Sequence, residues 1–203
     1  MKVFSYDSPV WKFMGRLVDF LVLTLLWVIT SLPIITIGVS TTTVYYITLK
    51  MADNQDEYLI PMYFKNFRKL FKEAFKNSLI LVVAGILLAG DILICYFNKS
   101  PVFTILLAAF AVLALLYACI VIYFFPTMAR INQSTTGLLK TSFYLAIRYI
   151  SWTILLLVIP TCIFIVSIFV FWPLLFVSVG LTAYLQSLIL KQIFIQQGWG
   201  LNQ

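Results

Sequence analysis

This chain of 203 residues contains no histidine. The commonest general base and the commonest metal ligand are therefore missing. Acidic residues are nearly as scarce: Asp7, Asp19, Asp53, Asp56, Glu57, Glu73 and Asp91 are the seven, and four of them lie between Asp53 and Glu73. No two carboxylates share an apolar run, which excludes a membrane carboxylate dyad for acid–base chemistry. The three cysteines, Cys95, Cys119 and Cys162, sit in three different apolar runs and form no CxxC pair. They read as small buried apolar residues, not as a disulfide framework or a metal site. No GxxxxGK[ST] phosphate loop, HExxH or GxSxG motif occurs, and no Arg-rich voltage-sensing helix. The expectation is a chain that is not an enzyme and needs no cofactor.

Apolar residues fill the space these absences leave. They make up 63% of the chain against 10% charged, with a mean hydropathy of +1.03. The few charges cluster between long apolar runs at 18–37, 79–97, 102–126, 149–171 and 174–190. Each run is near the roughly 20 residues needed to cross a bilayer. A helix on the surface of a soluble protein needs a polar face, which these runs lack. The reading is an all-α polytopic membrane protein, one domain over residues 1–203, with lipid as its solvent. The first run is longer than a signal-peptide core and is preceded by charges and aromatics, so no cleaved signal is expected.

Basic residues orient the loops. Lys50, Lys65, Arg68, Lys69, Lys72 and Lys76 fall in one segment; Arg130, Lys140 and Arg148 fall in another; Lys191 opens the tail. The connection near Asn98 carries only Lys99, and Phe171-Trp172-Pro173 carries none. Both basic segments and the C-terminus are expected in the cytoplasm. Lys2, Lys12 and Arg16 favour the same side for the N-terminus, which five spans alone would not allow. The stretch from Ser31 to Gly38 resolves the conflict: Pro33 removes a helical donor and Gly38 permits a turn. A short helix over 39–51 can then return, shielded from lipid by protein. The rival is five spans with an outside N-terminus.

Four features are candidates for function. The first is a cytoplasmic amphipathic helix over 61–76, with Phe64, Phe67, Phe71 and Phe75 on one face and Lys65, Arg68, Lys69, Lys72 and Lys76 on the other. It reads as an interfacial helix or as a docking element for an acidic partner. Nucleic-acid binding is not expected, because no recognition fold accompanies the charges. The second is Asp91, a carboxylate inside a span, which either reaches the outer headgroups or faces the bundle interior. The third is the break at Pro33 and Gly38, read as a packed hairpin or as the unwound backbone of a transport site. The fourth is small-residue ridges, Gly85 with Ala89 and Ala111 with Ala114 and Ala118, which let helices approach closely. Trp11, Trp152, Trp172 and Trp199 are placed as interface anchors, and Pro160 can kink the fourth long run.

The stretch from Leu26 to Tyr46, the Phe-rich basic helix from Tyr63 to Phe75, and Phe124-Phe-Pro-Thr-Met-Ala-Arg130 together resemble the YesL-like family of small bacterial membrane proteins. One departure is Val39, where family members often carry proline. The resemblance implies a location in the bacterial cytoplasmic membrane. It also implies, through the carbohydrate ABC importers and two-component regulators encoded beside family members, an accessory role with ABC permease subunits as partners. It transfers no catalytic residue. The alternatives are a stand-alone transporter or channel for a small solute, and a membrane modulator of a sensor kinase. The small-molecule ligand is unknown.

Overall fold

A computed structural model describes residues 9–55, 58–98, 100–131 and 133–199. Expectations placed on Met1, Lys2, Asp7, Asp56, Glu57, Lys99 and Gln203 lie outside these residues, as do the side chains of Trp11 and Lys12. The described residues form seven α-helices: α1 Pro9–Ser31, α2 Ile37–Ala52, α3 Leu59–Phe97, α4 Pro101–Arg130, α5 Thr135–Arg148, α6 Ile150–Phe169 and α7 Ser178–Gln196. Single 3-10 stretches precede α2 (Ile34–Thr36) and α7 (Trp172–Phe176). Five helices, α1, α3, α4, α6 and α7, are long and apolar enough to cross a membrane. The described residues are those of an all-helical, multi-pass membrane protein.

The first break falls at Pro33. α1 stops at Ser31, and the Pro33 carbonyl accepts both the Thr36 amide (2.8 Å) and the Thr36 hydroxyl (2.7 Å). Gly38 has a different job from the one expected of it. It lies inside α2, and a Cβ there would sit 2.0 Å from the Ser78 Cβ of α3. It is a close-approach glycine between two helices; the turn itself is made by Pro33 and Thr36.

The direction of each helix follows from its contacts. α1 runs antiparallel to α7: the Arg16 guanidinium lies over the Tyr184 ring, Phe20 packs on Tyr184, and the Gly180 amide donates to the Thr24 hydroxyl. α2 runs parallel to α7, because Tyr45, Thr48 and Ala52 meet Gln186, Ser187 and Lys191 in that order. α3 and α4 are antiparallel, with Gly85 against Tyr117 and Asn77 against Met128.

In two places the elements differ from the sequence reading. The helix expected over 61–76 and the span over 79–97 are one unbroken helix of 39 residues, about 58 Å long. Nothing interrupts it at the junction. Asn77 is held by the Thr135 hydroxyl (2.6 Å) and the Met128 sulfur (3.3 Å), and Ser78 donates to the Phe75 carbonyl. The basic half and the crossing half are therefore parts of one helix. The basic segment after Arg130 also holds a helix, α5, whose N-cap Ser134 accepts from the Gly137 amide.

Candidate functional site

α2 is rich in hydroxyls, and it sits at the centre, packed against α1, α3, α4 and α7. Ser40, Thr42, Thr43 and Thr48 are all fully buried. A hydroxyl away from water must find a partner, or it costs on the order of 1–3 kcal/mol. Thr42 and Thr43 donate to carbonyls one turn back, at 2.7 and 2.8 Å. The others reach across helices. Thr30 of α1 meets Ser40 at 2.9 Å and the Tyr63 hydroxyl of α3 at 2.7 Å. The Trp27 indole N–H donates to Thr41 at 3.0 Å, and Thr48 meets Ser187 of α7 at 2.7 Å. The helices are stitched by hydroxyls because apolar side chains give no preference for protein over lipid; each such bond contributes on the order of 0.6 kcal/mol.

A second relay crosses α2, α7 and α6. Pro160 has no amide hydrogen, so the Leu156 carbonyl one turn earlier loses its helical donor. Gln186 Nε2 supplies the replacement at 2.8 Å, and Gln186 Oε1 accepts from the buried Tyr45 hydroxyl. Beside this relay lies a cavity of about 220 Å³, lined by Trp27, Thr41, Tyr45, Phe164, Thr182 and Gln186 among others. Its walls are largely apolar, with the hydroxyls and the amide on the α2 and α7 side.

Charge gathers at one end of the bundle. The Asp53 carboxylate, at the C-terminus of α2, lies 3.0 Å from Arg130 Nη1 of α4 and 3.3 Å from Lys191 Nζ of α7. Arg130 and Asp53 are nearly buried, at 9% and 10% side-chain exposure, so neither charge is left to water. Arg130 Nε also donates to the Trp199 carbonyl (3.1 Å), and Lys191 donates to the Ala52 carbonyl (2.8 Å), capping α2 with a cation. One carboxylate thus ties together α2, α4, α7 and the segment after α7. A polar cleft of about 230 Å³ lies alongside, lined by Tyr46, Asn66, Lys69, Glu73 and Arg130 among others.

The residues singled out in the sequence divide between these features and the surface. Lys65, Arg68, Lys69, Lys72 and Lys76 are all exposed on α3. The phenylalanines are not uniformly lipid-facing. Phe67 and Phe75 are half-buried against the core, while Phe64 and Phe71 are exposed. Tyr63, Phe67, Phe71 and Phe75 form a ladder of rings at 6.1, 5.8 and 5.7 Å. Asp91 is exposed on the crossing half of α3, apart from both polar clusters. Pro33 and Gly38 bracket the entry to α2. The Gly85 side of its small ridge is taken up within the chain by Tyr117, whose hydroxyl donates to the Leu81 carbonyl (2.7 Å), whereas Ala89 and Ala111 stay exposed.

Sequence reasoning missed the Asp53–Arg130–Lys191 cluster and the Gln186 relay. A signal for each was present. Arg130 follows an apolar run directly, where a cation needs a partner, and Gln186 is an amide inside a span, facing a helix with an interior proline.

Residues 20–92 match a family model described as "Protein of unknown function, DUF624". The matched segment holds the second half of α1, all of α2 and all but the last few residues of α3. The chain is 27% identical over 128 residues to a Bacillus subtilis (strain 168) protein described as "Uncharacterized protein YesL", in an alignment covering 61% of this chain and 60% of that protein. The match thus spans less than two thirds of the relative's length. No solved structure matches. The Leu26–Tyr46 and Tyr63–Phe75 stretches both fall within the family match, and the similarity to YesL supports the YesL-like resemblance.

Proposed function

We propose that this protein is a non-enzymatic accessory subunit of the bacterial cytoplasmic membrane, associated with a carbohydrate ABC importer. The observation that carries the reading is the form of α3. One helix presents five exposed cations on its basic half. Its crossing half leaves Val83, Ile86, Leu87, Leu93 and Ile94 exposed. A partner with acidic cytoplasmic surface and apolar membrane helices, as an importer's permease subunits would offer, can engage both halves at once. The YesL-like resemblance supports the choice of importer. The test is affinity purification of the tagged protein from its native host in mild detergent, with photo-crosslinking from position 72 and position 86. Permease or ATPase subunits should be recovered from both positions; recovery of neither sinks the proposal.

In this reading both termini are cytoplasmic. The antiparallel pairing of α1 with α7 supports it, as does the gathering of Asp53, Arg130, Lys191 and Trp199 at one end. Single-cysteine labelling, in a background lacking the three native thiols, should protect probes at Ser5 and Asn202 in intact cells and modify one at Ser100. Labelling at Ser5 with protection at Asn202 would favour the outside-N arrangement.

A second reading, passage of a small solute, is favoured by the cavity beside Gln186 and Pro160. Solute flux in proteoliposomes that is lost on Gln186→Leu would establish it; flux unaffected by that change would not run through this cavity.

A further inference from the structure

Between α4, α5 and α6 lies a groove of about 270 Å³ lined by Leu115, Leu116, Ile147, Ile150, Ile154 and Leu157, among others. Its wall offers almost nothing polar. The one hydroxyl on it, Thr153, is already engaged with the Ala146 and Tyr149 carbonyls and the Tyr123 hydroxyl, each at 3.0 Å. A hydrophilic solute would lose its water here and gain no partner. From Ile150 to Leu157 the groove follows the first two turns of α6, about 10 Å along a helix read as crossing the membrane.

At the start of α6 stands Arg148, exposed at the end of α5. Its guanidinium lies over the rings of Tyr144 and Tyr149, at 5.6 and 6.0 Å, and donates to the Tyr144 hydroxyl. These aromatic partners fix the position of the cation without neutralising it. No carboxylate pairs with it among the described residues. Lys140, Tyr144 and Arg148 fall at i, i+4 and i+8 and are all exposed, so two cations flank an aromatic on one stripe of α5. Phe143 and Trp152 are exposed nearby. Aromatics of this kind, beside cations, belong at the level of lipid headgroups.

We propose that this groove is a binding site for one anionic phospholipid, with an acyl chain along Ile150–Leu157 and the phosphate at Arg148. A free phosphate could meet the arginine but could not use the groove, and a neutral lipid could fill the groove but gains nothing from the arginine. The chemistry of the two parts together selects a lipid with net negative charge.

Native mass spectrometry of the full chain, released from nanodiscs with equal phosphatidylglycerol and phosphatidylcholine of identical chains, tests this. Wild type should retain phosphatidylglycerol about fivefold over phosphatidylcholine, the change one basic side chain makes at an anionic surface. Arg148→Gln should bring the ratio near one with an unchanged unfolding temperature. Ile154→Trp fills the groove from a position that is already exposed, and should lower retention of both lipids. Soluble glycerol phosphate in millimolar excess should not displace the lipid. Three results overturn the proposal: equal retention of the two lipids by wild type; an unaltered ratio in Arg148→Gln; or full retention by Ile154→Trp, which would mean surface attraction alone. Displacement by glycerol phosphate would overturn it too, making the site one for free anions.

Discussion

α7 and α4 are both long enough to cross a membrane, and α4 is by far the more apolar of the two, yet their burial runs the opposite way. In the most apolar 18-residue stretch of α7, 39% of residues are buried; in that of α4, none are. The order is reversed from that of a water-soluble protein. In lipid, leucine gains nothing by facing leucine, and helices associate through close backbone approach and hydrogen bonds. α7 has both: Gly180 against the Phe20 backbone, and Gln186, Ser187 and Lys191 bonded to neighbours. The crossing halves of α3 and α4 have each other, through Gly85 and Tyr117, and are otherwise exposed. One side of the molecule is a polar-stitched body, and the other is a two-helix apolar arm.

If that division is right, substitutions on the body should cost far more than those on the arm. The largest loss is expected for Asp53→Ala, which leaves Arg130 nearly buried without its carboxylate, at about 3–5 kcal/mol. The measurement is unfolding in detergent followed by circular dichroism. A wild-type transition in this variant would show that the charge cluster does not hold the body together.

Next come two substitutions of similar size, Gly180→Ala and Gln186→Leu, with Gly90→Ala as the contrast to the first. Gly180→Ala puts a Cβ 2.6 Å from the Phe20 carbonyl oxygen, and backbone cannot easily retreat; the overpacking should cost about 1–3 kcal/mol. Gly90→Ala on the arm meets nothing within 4 Å, and should stabilise the helix by roughly 0.5–1 kcal/mol. Opposite signs for the two glycines sharpen the comparison, and equal signs break it. Gln186→Leu strands the Leu156 carbonyl and the Tyr45 hydroxyl together, for a loss of about 1–3 kcal/mol. The same unfolding experiment reads it.

The smallest effects belong to the arm. Ile86→Ala and Asp91→Asn both alter exposed positions and should move stability by no more than about 0.5 kcal/mol. A loss of several kcal/mol at Ile86 would mean that the arm is packed, in the detergent used, against something beyond this chain.

The five crossing helices were legible because length and apolarity are local properties: a run of about 20 residues announces itself. The break at Pro33 was legible for the same reason. What was hidden depends on partners distant in sequence. The Gly38 contact is with Ser78, and Asp53 meets residues 77 and 138 positions away; no window along the chain holds either pair. α5 was passed over because its buried positions, Leu138, Ser142, Leu145 and Ala146, include a serine and an alanine that blur the apolar stripe. The junction at Asn77–Ser78 looked like a boundary because it is polar. It is instead where α3 bonds to α4 and α5, which is why the helix continues through it.

That continuity has a mechanical meaning. A helix without a joint passes on rotation as a lever does. A tilt of about 10° about a pivot near the middle of α3, with a far arm of about 28 Å, would carry the far end through roughly 5 Å. The fulcrum is given by the structure: Asn77 and Ser78 are pinned near the middle by Thr135, Met128 and the backbone of α2 at Gly38. Whatever grips the five cations on one side of that pivot moves the apolar arm on the other.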